Sequence, residues 1–212
     1  MTEDNLLIEL ENAVLRQNVP LLEEAFSRAA ASRLSREPAL TAMAKGLDAA
    51  RLRLGDHSLS IPEFLLSVDV FKLGLEKLSL LPSASKNQPK TGTIVIGVVE
   101  GDIHELGKNI VAGVLEASGY CVIDLGRDVP PRLFIEKVKE NRASLLALST
   151  LMSTPLENMK TTVTWCKREL PGVAVIVGGA TVDEVIAQNF GADGYAESVV
   201  TVCDEVQRLL ER

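Results

Sequence analysis

The sequence predicts an α + α/β protein in which a four-helix bundle precedes a five-stranded parallel sheet. Residues 1–82 carry four successive stretches with apolar residues at helical spacing. Residues 83–91 contain proline and polar residues without an apolar period, which is typical of an interdomain linker. Residues 92–212 alternate short β-branched runs with helical stretches, as doubly wound sheets do. We therefore expect a helical domain, a linker and an α/β domain with these bounds.

Each of the four predicted helices has an amphipathic pattern, and three have a recognisable start. Pro20 and Pro38 suit the first turns of the second and third helices. The fourth helix follows Ser60, which can form a capping box with Glu63, and Pro62 again suits a first turn. Amphipathic helices with short connections are typical of an antiparallel bundle. The expected core positions are Leu6, Leu10, Ala13 and Val14; Leu22, Ala25, Phe26, Ala29 and Ala30; Leu40, Met43, Ala44 and Leu47; and Phe64, Leu65, Val68, Phe71, Leu75 and Leu78.

The second half of the chain predicts five strands, each followed by a helix. Thr93–Val99 is a continuous apolar run, as expected for a strand that is buried on both faces. Successive βα units predict a Rossmann-like (flavodoxin-like) five-stranded parallel sheet with helices on both faces. The other strands are expected at Tyr120–Asp124, Ser144–Ser149, Ala174–Val177 and Asp193–Ala196, and the helices at Lys108–Ser118, Pro131–Asn141, Leu156–Arg168, Val182–Gln188 and Ser198–Glu211.

Composition argues against nucleic acid and membrane partners. The chain has a net charge of −7 and a pI near 5.0, whereas nucleic acids and anionic membranes are bound through basic surfaces. No apolar run is long enough to span a bilayer, and the N-terminus lacks the pattern of a secretory signal. Three cysteines without C-x-x-C spacing predict thiols in a reducing cytoplasm.

The loop after the first predicted strand carries the side chains that are the best candidates for binding a ligand or a metal. Ligands of doubly wound sheets bind outside the carboxyl ends of the strands, and this loop places Asp102 two residues before His104. A metal-binding histidine usually donates its second ring N–H to a carboxylate. No second histidine or cysteine lies nearby in sequence to complete a zinc site. A metal on His104 would therefore bring its other ligands with it, as a macrocycle does.

Two further loops lie at the same predicted edge of the sheet. Ser149 ends the third strand and offers a hydroxyl, and Gly178 and Gly179 follow the fourth. Because the two glycines lack side chains, a bulky ligand could lie against their backbone. Each feature alone also has an ordinary interpretation, as a hydrogen-bonded loop histidine, a helix-capping serine or a glycine turn.

Together these residues form a signature. Asp102-x-His104-x-x-Gly107, Ser149-x-Leu151 and Gly178-Gly179 resemble the cobalamin-binding motif of B12-dependent methyltransferases and mutases, and the separations between the three elements match as well. The helical half is similar to the cap bundle of methionine synthase. It resembles still more the corrinoid proteins of methanol, methylamine and methoxyaromatic methyltransferase systems. The similarity covers nearly the whole chain, and its segments in the helical half are Gly46–Ala50, Ile61–Leu66 and Gly74–Leu78.

The resemblance implies a role for each matching residue. His104 would replace the dimethylbenzimidazole of the cofactor as the lower cobalt ligand, and Asp102 would orient His104. Leu54 and Ile61 correspond to cap residues over the upper, methyl-bearing face of the corrin. The lower side would be lined by Gly101, Ile103 and Glu105, and the displaced nucleotide tail would be surrounded by Ser149, Ser153, Gly178, Gly179, Tyr195 and Ala196.

Two positions depart from the family pattern. Leu54 stands where the family usually has an aromatic residue, so the cap is expected to shield the methyl group less completely. Pro155 stands where methionine synthase has a hydroxyl residue that completes an Asp–His–Ser relay, and proline has no hydroxyl to donate. Ser153 or Thr154 could substitute, or the relay could end at Asp102. We expect the second outcome, because Pro155 stiffens the turn from which the neighbouring hydroxyls would have to reach inward.

The resemblance also implies a corrinoid methyl carrier that does not turn over substrate alone. In such proteins Co(I) attacks an activated methyl group to give methyl–Co(III), from which a second nucleophile removes the methyl; the cobalamin does the chemistry. The implied partners are a methyl-donor:corrinoid methyltransferase, a methylcorrinoid:acceptor methyltransferase that uses tetrahydrofolate or a thiol coenzyme, and a reductive activase. Methoxylated aromatics (through an O-demethylase system), methylamines, methanol and betaines all stay open as donors.

Three other classes of protein fit parts of the pattern. The small subunit of an adenosylcobalamin mutase shares the histidine motif but normally lacks the helical bundle. A B12-binding sensor usually carries an additional DNA-binding or output domain, and no basic recognition helix is visible here. A flavodoxin-like domain without corrinoid is disfavoured by the joint spacing of the three motifs. His57, the other histidine, lies in a polar turn and is expected to be exposed.

Overall fold

The computed structural model describes residues 2–82 and 92–211, which form two compact units. The first unit contains the helices and the second contains the sheet, so the predicted fold class is confirmed. The expected linker, residues 83–91, lies outside the described residues. No helix in the described ranges is both long enough and apolar enough to cross a membrane.

The helical unit contains α1 (Glu3–Leu15), α2 (Val19–Ser32), α3 (Arg36–Gly55) and α4 (Ile61–Lys77), and a 3₁₀ turn at Leu78–Leu80. The predicted capping box is present: Ser60 and Glu63 each bond the backbone N–H of the other. The apolar stripes of the four helices pack against one another because each helix can remove only one face from water. Fully buried side chains at the centre of this unit include Leu10, Leu22, Met43 and Phe71.

The second unit is a five-stranded parallel sheet in the order β2-β1-β3-β4-β5. The register pairs Ile94 with both Val122 and Leu145, and Leu145 with Ala174. β1 and β3 lie at the centre and are almost entirely buried, as their unbroken apolar sequences predict. The strands are β1 (Thr93–Val98), β2 (Cys121–Asp124), β3 (Leu145–Ser149), β4 (Ala174–Gly178) and β5 (Gly194–Ala196).

Five helices complete this unit among the described residues. The sixth and seventh helices pack against one face of the sheet, where they bury Phe134, Met159 and Val163 completely. The last helix begins at Val202, four residues later than the sequence predicts, because Ser198 and Thr201 bond each other in a polar turn. The helices are α5 (Leu106–Ala117), α6 (Pro131–Glu140), α7 (Leu156–Glu169), α8 (Glu184–Phe190) and α9 (Val202–Leu210).

The strand order fixes where a ligand can bind. The chain passes from β1 outward to β2 and then returns to the other side of β1 with β3, so the topological switch lies between β1 and β3. Loops that follow these two strands diverge to opposite faces and leave a crevice at the carboxyl edge. The loop after β1 contains Asp102 and His104, and the loop after β3 begins at Thr150.

Candidate functional site

Asp102 is the centre of the site. Its side chain is completely buried, and both carboxylate oxygens accept hydrogen bonds. Oδ1 accepts the backbone N–H of His104 at 2.9 Å. Oδ2 accepts the Thr150 hydroxyl at 2.7 Å and the backbone N–H groups of Leu151 at 2.6 Å and Met152 at 3.3 Å. The loops after β1 and β3 are therefore joined through one carboxylate.

These hydrogen bonds decide the charge of Asp102. Burial by itself would raise the pKa of the carboxyl group, because it removes the ion from water. The donors from His104, Thr150 and Leu151 favour the charged form, outweigh this penalty and hold the pKa well below its ordinary value. Asp102 is consequently an anion at neutral pH and can only accept hydrogen bonds.

The imidazole of His104 is oriented by this anion. Its Nδ1 lies 2.7 Å from Oδ1 of Asp102. Since an ionised carboxylate has no proton to give, Nδ1 carries the hydrogen and Nε2 of the neutral ring keeps its lone pair. Nε2 makes no hydrogen bond to any residue in the described ranges, and 48% of the side chain is exposed. This arrangement is the one that metal-binding histidines adopt.

Thr150 is a site residue that the sequence interpretation missed. Its hydroxyl has one proton and two nearby acceptors, Oδ2 of Asp102 at 2.7 Å and the carbonyl of Met152 at 3.1 Å. The shorter bond to a charged acceptor is the stronger one. The expectation that the relay ends at Asp102 is therefore wrong, because Thr150 supplies the third member. One signal was available: Thr150 is the first residue after β3, at the switch point.

The three residues considered for that role lie elsewhere. Ser153 and Thr154 are exposed, and neither side chain bonds Asp102 in the part of the chain that the structure describes. Pro155 is buried at the start of α7, and its ring carbons lie 3.6 to 3.7 Å from the place a Cβ would take on Gly101. Pro155 thus packs beneath the histidine loop rather than taking part in the relay.

The two glycines after β4 serve internal packing. A Cβ on Gly179, whose φ is +122°, would lie 1.9 Å from the carbonyl oxygen of Thr150. A Cβ on Gly178 would lie 3.2 Å from the carbonyl oxygen of Ala196. We expected the missing side chains to leave room for a ligand. This expectation is wrong, because carbonyl oxygens of the protein already occupy the space next to the Cβ position of both glycines. Gly179 instead allows the Thr150 loop to approach β4 closely, and the Thr150 N–H bonds the Gly178 carbonyl.

The surface around Asp102 and His104, which we call the rim, consists of exposed apolar side chains and of a glycine with free space beside it. Ile103, Leu151 and Met152 expose 62%, 47% and 39% of their surface, and all three flank the hydrogen bonds of Asp102. A Cβ on Gly107 would meet nothing within 4 Å. Glu105 occupies the N-cap position of α5 without a side-chain capping bond, and its Oε1 lies 3.7 Å from Nη1 of Arg127. A ligand with apolar surface would cover these exposed side chains.

The remaining expected residues occupy two different places. Ser149 is the half-buried last residue of β3, where it pairs with Gly178 of β4. Tyr195 and Ala196 are half-buried in β5 and pair with Val177 and Gly178. All three residues therefore lie along the carboxyl edge of the sheet. In the helical unit Leu54 lies near the end of α3, and Ile61 begins α4 with 66% exposure.

A metal at His104 has to arrive with ligands of its own. Within residues 2–82 and 92–211, no cluster of three or more histidine, cysteine or acidic side chains could hold an ion. One outward lone pair on a rigidly held imidazole, beside exposed apolar side chains, would suit a metal complex that brings its remaining ligands with it. The fold and the site thus define a doubly wound domain with one oriented, exposed imidazole at its switch point, an arrangement that suits a preformed metal cofactor.

Comparison with known proteins identifies the family. Residues 92–203 match the family model described as the B12 binding domain. The dimethylamine corrinoid protein of Methanosarcina barkeri is 34% identical over 212 residues, which cover 99% of this chain and 100% of that protein. The chain therefore belongs to the corrinoid proteins with a B12 binding domain, and its cofactor is a cobalamin-type corrinoid with cobalt.

Two solved structures agree with this assignment. The monomethylamine corrinoid protein of Methanosarcina barkeri is 26% identical, with a TM-score of 0.73 over 99% of both chains. A chain of the methanol:cobalamin methyltransferase complex MtaBC from the same organism is 26% identical, with a TM-score of 0.59 over 99% of this chain and 81% of that chain. The similarity to the second structure indicates that proteins of this kind work with methyltransferases.

Proposed function

We propose that this chain carries a methyl group between two methyltransferases on a corrinoid cobalt whose lower ligand is Nε2 of His104. The observation that supports this most strongly is the pairing of His104 with Asp102. A completely buried anion fixes Nδ1 as the protonated nitrogen and leaves Nε2 directed away from the hydrogen-bond network. Orientation of the imidazole is sufficient to explain why a charged side chain is buried in this loop.

The corrinoid supplies a cobalt that can accept a methyl group from one molecule and give it to another. The chain's own residues set the conditions for this. His104 Nε2 would bind the metal, and the negative charge of Asp102 would stabilise the ring that binds it. Thr150 and the Leu151 N–H keep that charge in place.

We propose the other contacts from the resemblance. The tail of the corrinoid would run along the carboxyl edge of β3, β4 and β5, where Ser149 and Gly178 are half-buried. Leu54 and Ile61 would face the methyl-bearing side. The proposed corrinoid-binding residues are Gly101, Asp102, Ile103, His104, Glu105, Gly107, Ser149, Leu151, Ser153, Gly178, Gly179, Tyr195, Ala196, Leu54 and Ile61.

The proposed partners are a donor-specific methyltransferase, an acceptor methyltransferase and a reductive activase. The names of the relatives, which refer to dimethylamine and monomethylamine, support a methylamine as the donor. We also propose a cytoplasmic location, since Cys121, Cys166 and Cys203 form no disulfide in the described part of the chain.

The test of the ligand assignment uses electron paramagnetic resonance. Protein reconstituted with hydroxocobalamin and reduced to Co(II) should show coupling to one imidazole nitrogen that changes when the protein contains isotopically labelled histidine. His104→Gln should abolish this coupling. His57→Gln is the matched control, because His57 is the only other histidine. Coupling to the benzimidazole of the cofactor in the unmodified protein would contradict the assignment.

The test of the carrier function uses the holoprotein with and without partners. Alone it should demethylate no donor; with a matching methyltransferase the bound corrinoid should accept a methyl group, measured by its absorption spectrum. A panel of methylamines, methanol, betaine and methoxylated aromatics, each with its methyltransferase, identifies the donor. Turnover by the isolated chain, or a requirement for adenosylcobalamin, would refute the proposal in favour of an enzyme of another class.

A further inference from the structure

The loop between β2 and α6 runs beside the histidine loop and continues the pairing of β1 beyond its last residue. The Glu100 N–H donates to the Val129 carbonyl at 2.9 Å, and the Val129 N–H donates to Val98 at 3.0 Å. One residue further, the Asp128 N–H donates to the carbonyl of Asp102 at 3.0 Å. The main chain that leads to His104 is therefore held along its length by a second segment.

Asp128 contributes to this contact twice. Besides its N–H, its side-chain Oδ1 accepts the backbone N–H of Gly101 at 2.8 Å. The carboxylate forms no ion pair with any residue in the described ranges, although it lies on the surface. Asp128 has φ of +55°, a left-handed conformation that aspartate, asparagine and glycine adopt most readily. This left-handed conformation brings both polar groups to face Gly101 and Asp102.

The two neighbouring loops hold different parts of Asp102. The loop after β3 binds its carboxylate through Thr150 and Leu151. The loop after β2 binds its carbonyl and the N–H of the residue before it, through Asp128. Because the carboxylate orients the imidazole only if its own main chain is fixed, the second contact bears on the direction of His104.

We propose that Asp128 is a positioning residue for His104, acting through the main chain of Gly101 and Asp102. This inference rests on the proposed function, because its consequence is the coordination of cobalt by His104. Loss of the Asp128 carboxylate should free the Gly101 N–H and widen the range of directions that the imidazole samples. Coordination would then be weaker, although every residue of the relay is still present.

Three variants separate the hydrogen bond from the backbone conformation. Asp128→Gly keeps the left-handed backbone and the N–H that binds Asp102, but it removes the acceptor. Asp128→Asn keeps both the conformation and an acceptor oxygen. Arg142→Gly is the matched control for the flexibility that glycine adds, since Arg142 also has positive φ (+51°) in an exposed turn of the same unit.

The first measurement needs no cofactor. Amide hydrogen exchange of Gly101 in the apoprotein should be about tenfold faster in Asp128→Gly than in the unmodified protein. Asp128→Asn and Arg142→Gly should leave it nearly unchanged. Equal exchange rates in Asp128→Gly and the unmodified protein would show that the carboxylate does not hold this N–H, and would overturn the proposal.

The second measurement follows coordination at one fixed pH. The ratio of histidine-bound to histidine-free Co(II) protein, from its paramagnetic resonance spectrum, should fall about fivefold in Asp128→Gly and be restored in Asp128→Asn. A purely structural role would accelerate exchange and leave this ratio unchanged, which would also overturn the proposal. If the unmodified protein shows no histidine coordination, the proposed function itself fails and this inference falls with it.

Discussion

The Thr150 hydroxyl can be removed while the size of the side chain is kept, through Thr150→Val. The hydroxyl is completely buried and donates to Asp102, which is also completely buried. Valine leaves Oδ2 with only the backbone donors of Leu151 and Met152. Because the lost bond is to an ion in a dry environment, its removal should weaken the α/β unit and raise the pKa of Asp102 towards its ordinary value.

The magnitude follows from the kind of bond. A hydrogen bond to a charged group contributes about 1.5–3 kcal/mol, so Thr150→Val should lower the free energy of unfolding by about 2 kcal/mol at neutral pH. Thr150→Ser is the control: it keeps the hydroxyl and loses one buried methyl, at a cost of about 1 kcal/mol. The valine variant should therefore be the less stable of the two.

The effect also has a definite dependence on pH. The folded pKa of Asp102 is depressed, so the stability that its charge contributes is present above the unfolded pKa of about 3.9 and is lost as pH falls towards the folded value. In Thr150→Val the depression is smaller. Because the unfolded pKa is the same in both proteins, the difference in stability between the unmodified protein and Thr150→Val should be full at neutral pH and should shrink only as pH falls through the folded pKa of Asp102 in the variant and then in the unmodified protein.

The assay can be restricted to the unit that contains the site. Trp165 is the only tryptophan in the chain and packs on the core of the α/β unit from α7. Its fluorescence during urea unfolding of the apoprotein reports on that unit, without contributions from the corrinoid. The reasoning is refuted if Thr150→Val is as stable as Thr150→Ser at neutral pH, or if its deficit does not depend on pH.

Two further outcomes are expected from the same fluorescence assay. The Lys108 side chain is 1% exposed and pairs with Asp124, whose side chain is 37% exposed. Asp124→Ala leaves a buried cation without its anion and should lower the free energy of unfolding by about 3 kcal/mol. Lys108→Met leaves a carboxylate that water can reach, so it should lower this free energy by less. The opposite ranking would contradict this account of the pair. Gly179→Ala places a methyl 1.9 Å from the Thr150 carbonyl oxygen and should destabilise the unit strongly, while Gly172→Ala, with nothing within 4 Å, should not. Similar stability of the two alanine variants would show that the Thr150 loop can move away.

The order and type of the elements could be predicted from the sequence because hydrophobic periodicity depends on local spacing. Thr93–Val99 is apolar throughout because β1 is buried on both faces, and the observed strand ends one residue earlier. The start of α9 could not be predicted, because Ser198 and Thr201 bond each other in a turn that competes with the helix. Side-chain bonds of this kind leave no periodic signal.

The same limit explains the error at the relay. The pairing of Asp102 with His104 spans two residues and could be predicted, whereas the partner of Oδ2 lies 48 positions away. Whether Thr150 or Ser153 faces Asp102 depends on how the loop after β3 turns, and that turn depends on how closely Gly179 lets it approach β4. A contact that requires three loops at once cannot be derived from the spacing within any one of them.

The proposed role of His104 needs an imidazole that is both accessible and fixed, and these requirements normally conflict, because exposed side chains lose little freedom on folding. The structure separates them between two residues: His104 is 48% exposed, and Asp102 is not exposed at all. The desolvation of Asp102 opposes its charge, yet it also makes each remaining hydrogen bond stronger than it would be in water. The hydrogen bonds from Thr150 and from the backbone of Leu151 offset the free-energy cost of desolvation. They also fix the orientation of the carboxylate, and the carboxylate in turn fixes the orientation of the His104 ring. A buried charge therefore gives an exposed imidazole its direction, which explains why the anion rather than the histidine lies at the junction of the loops.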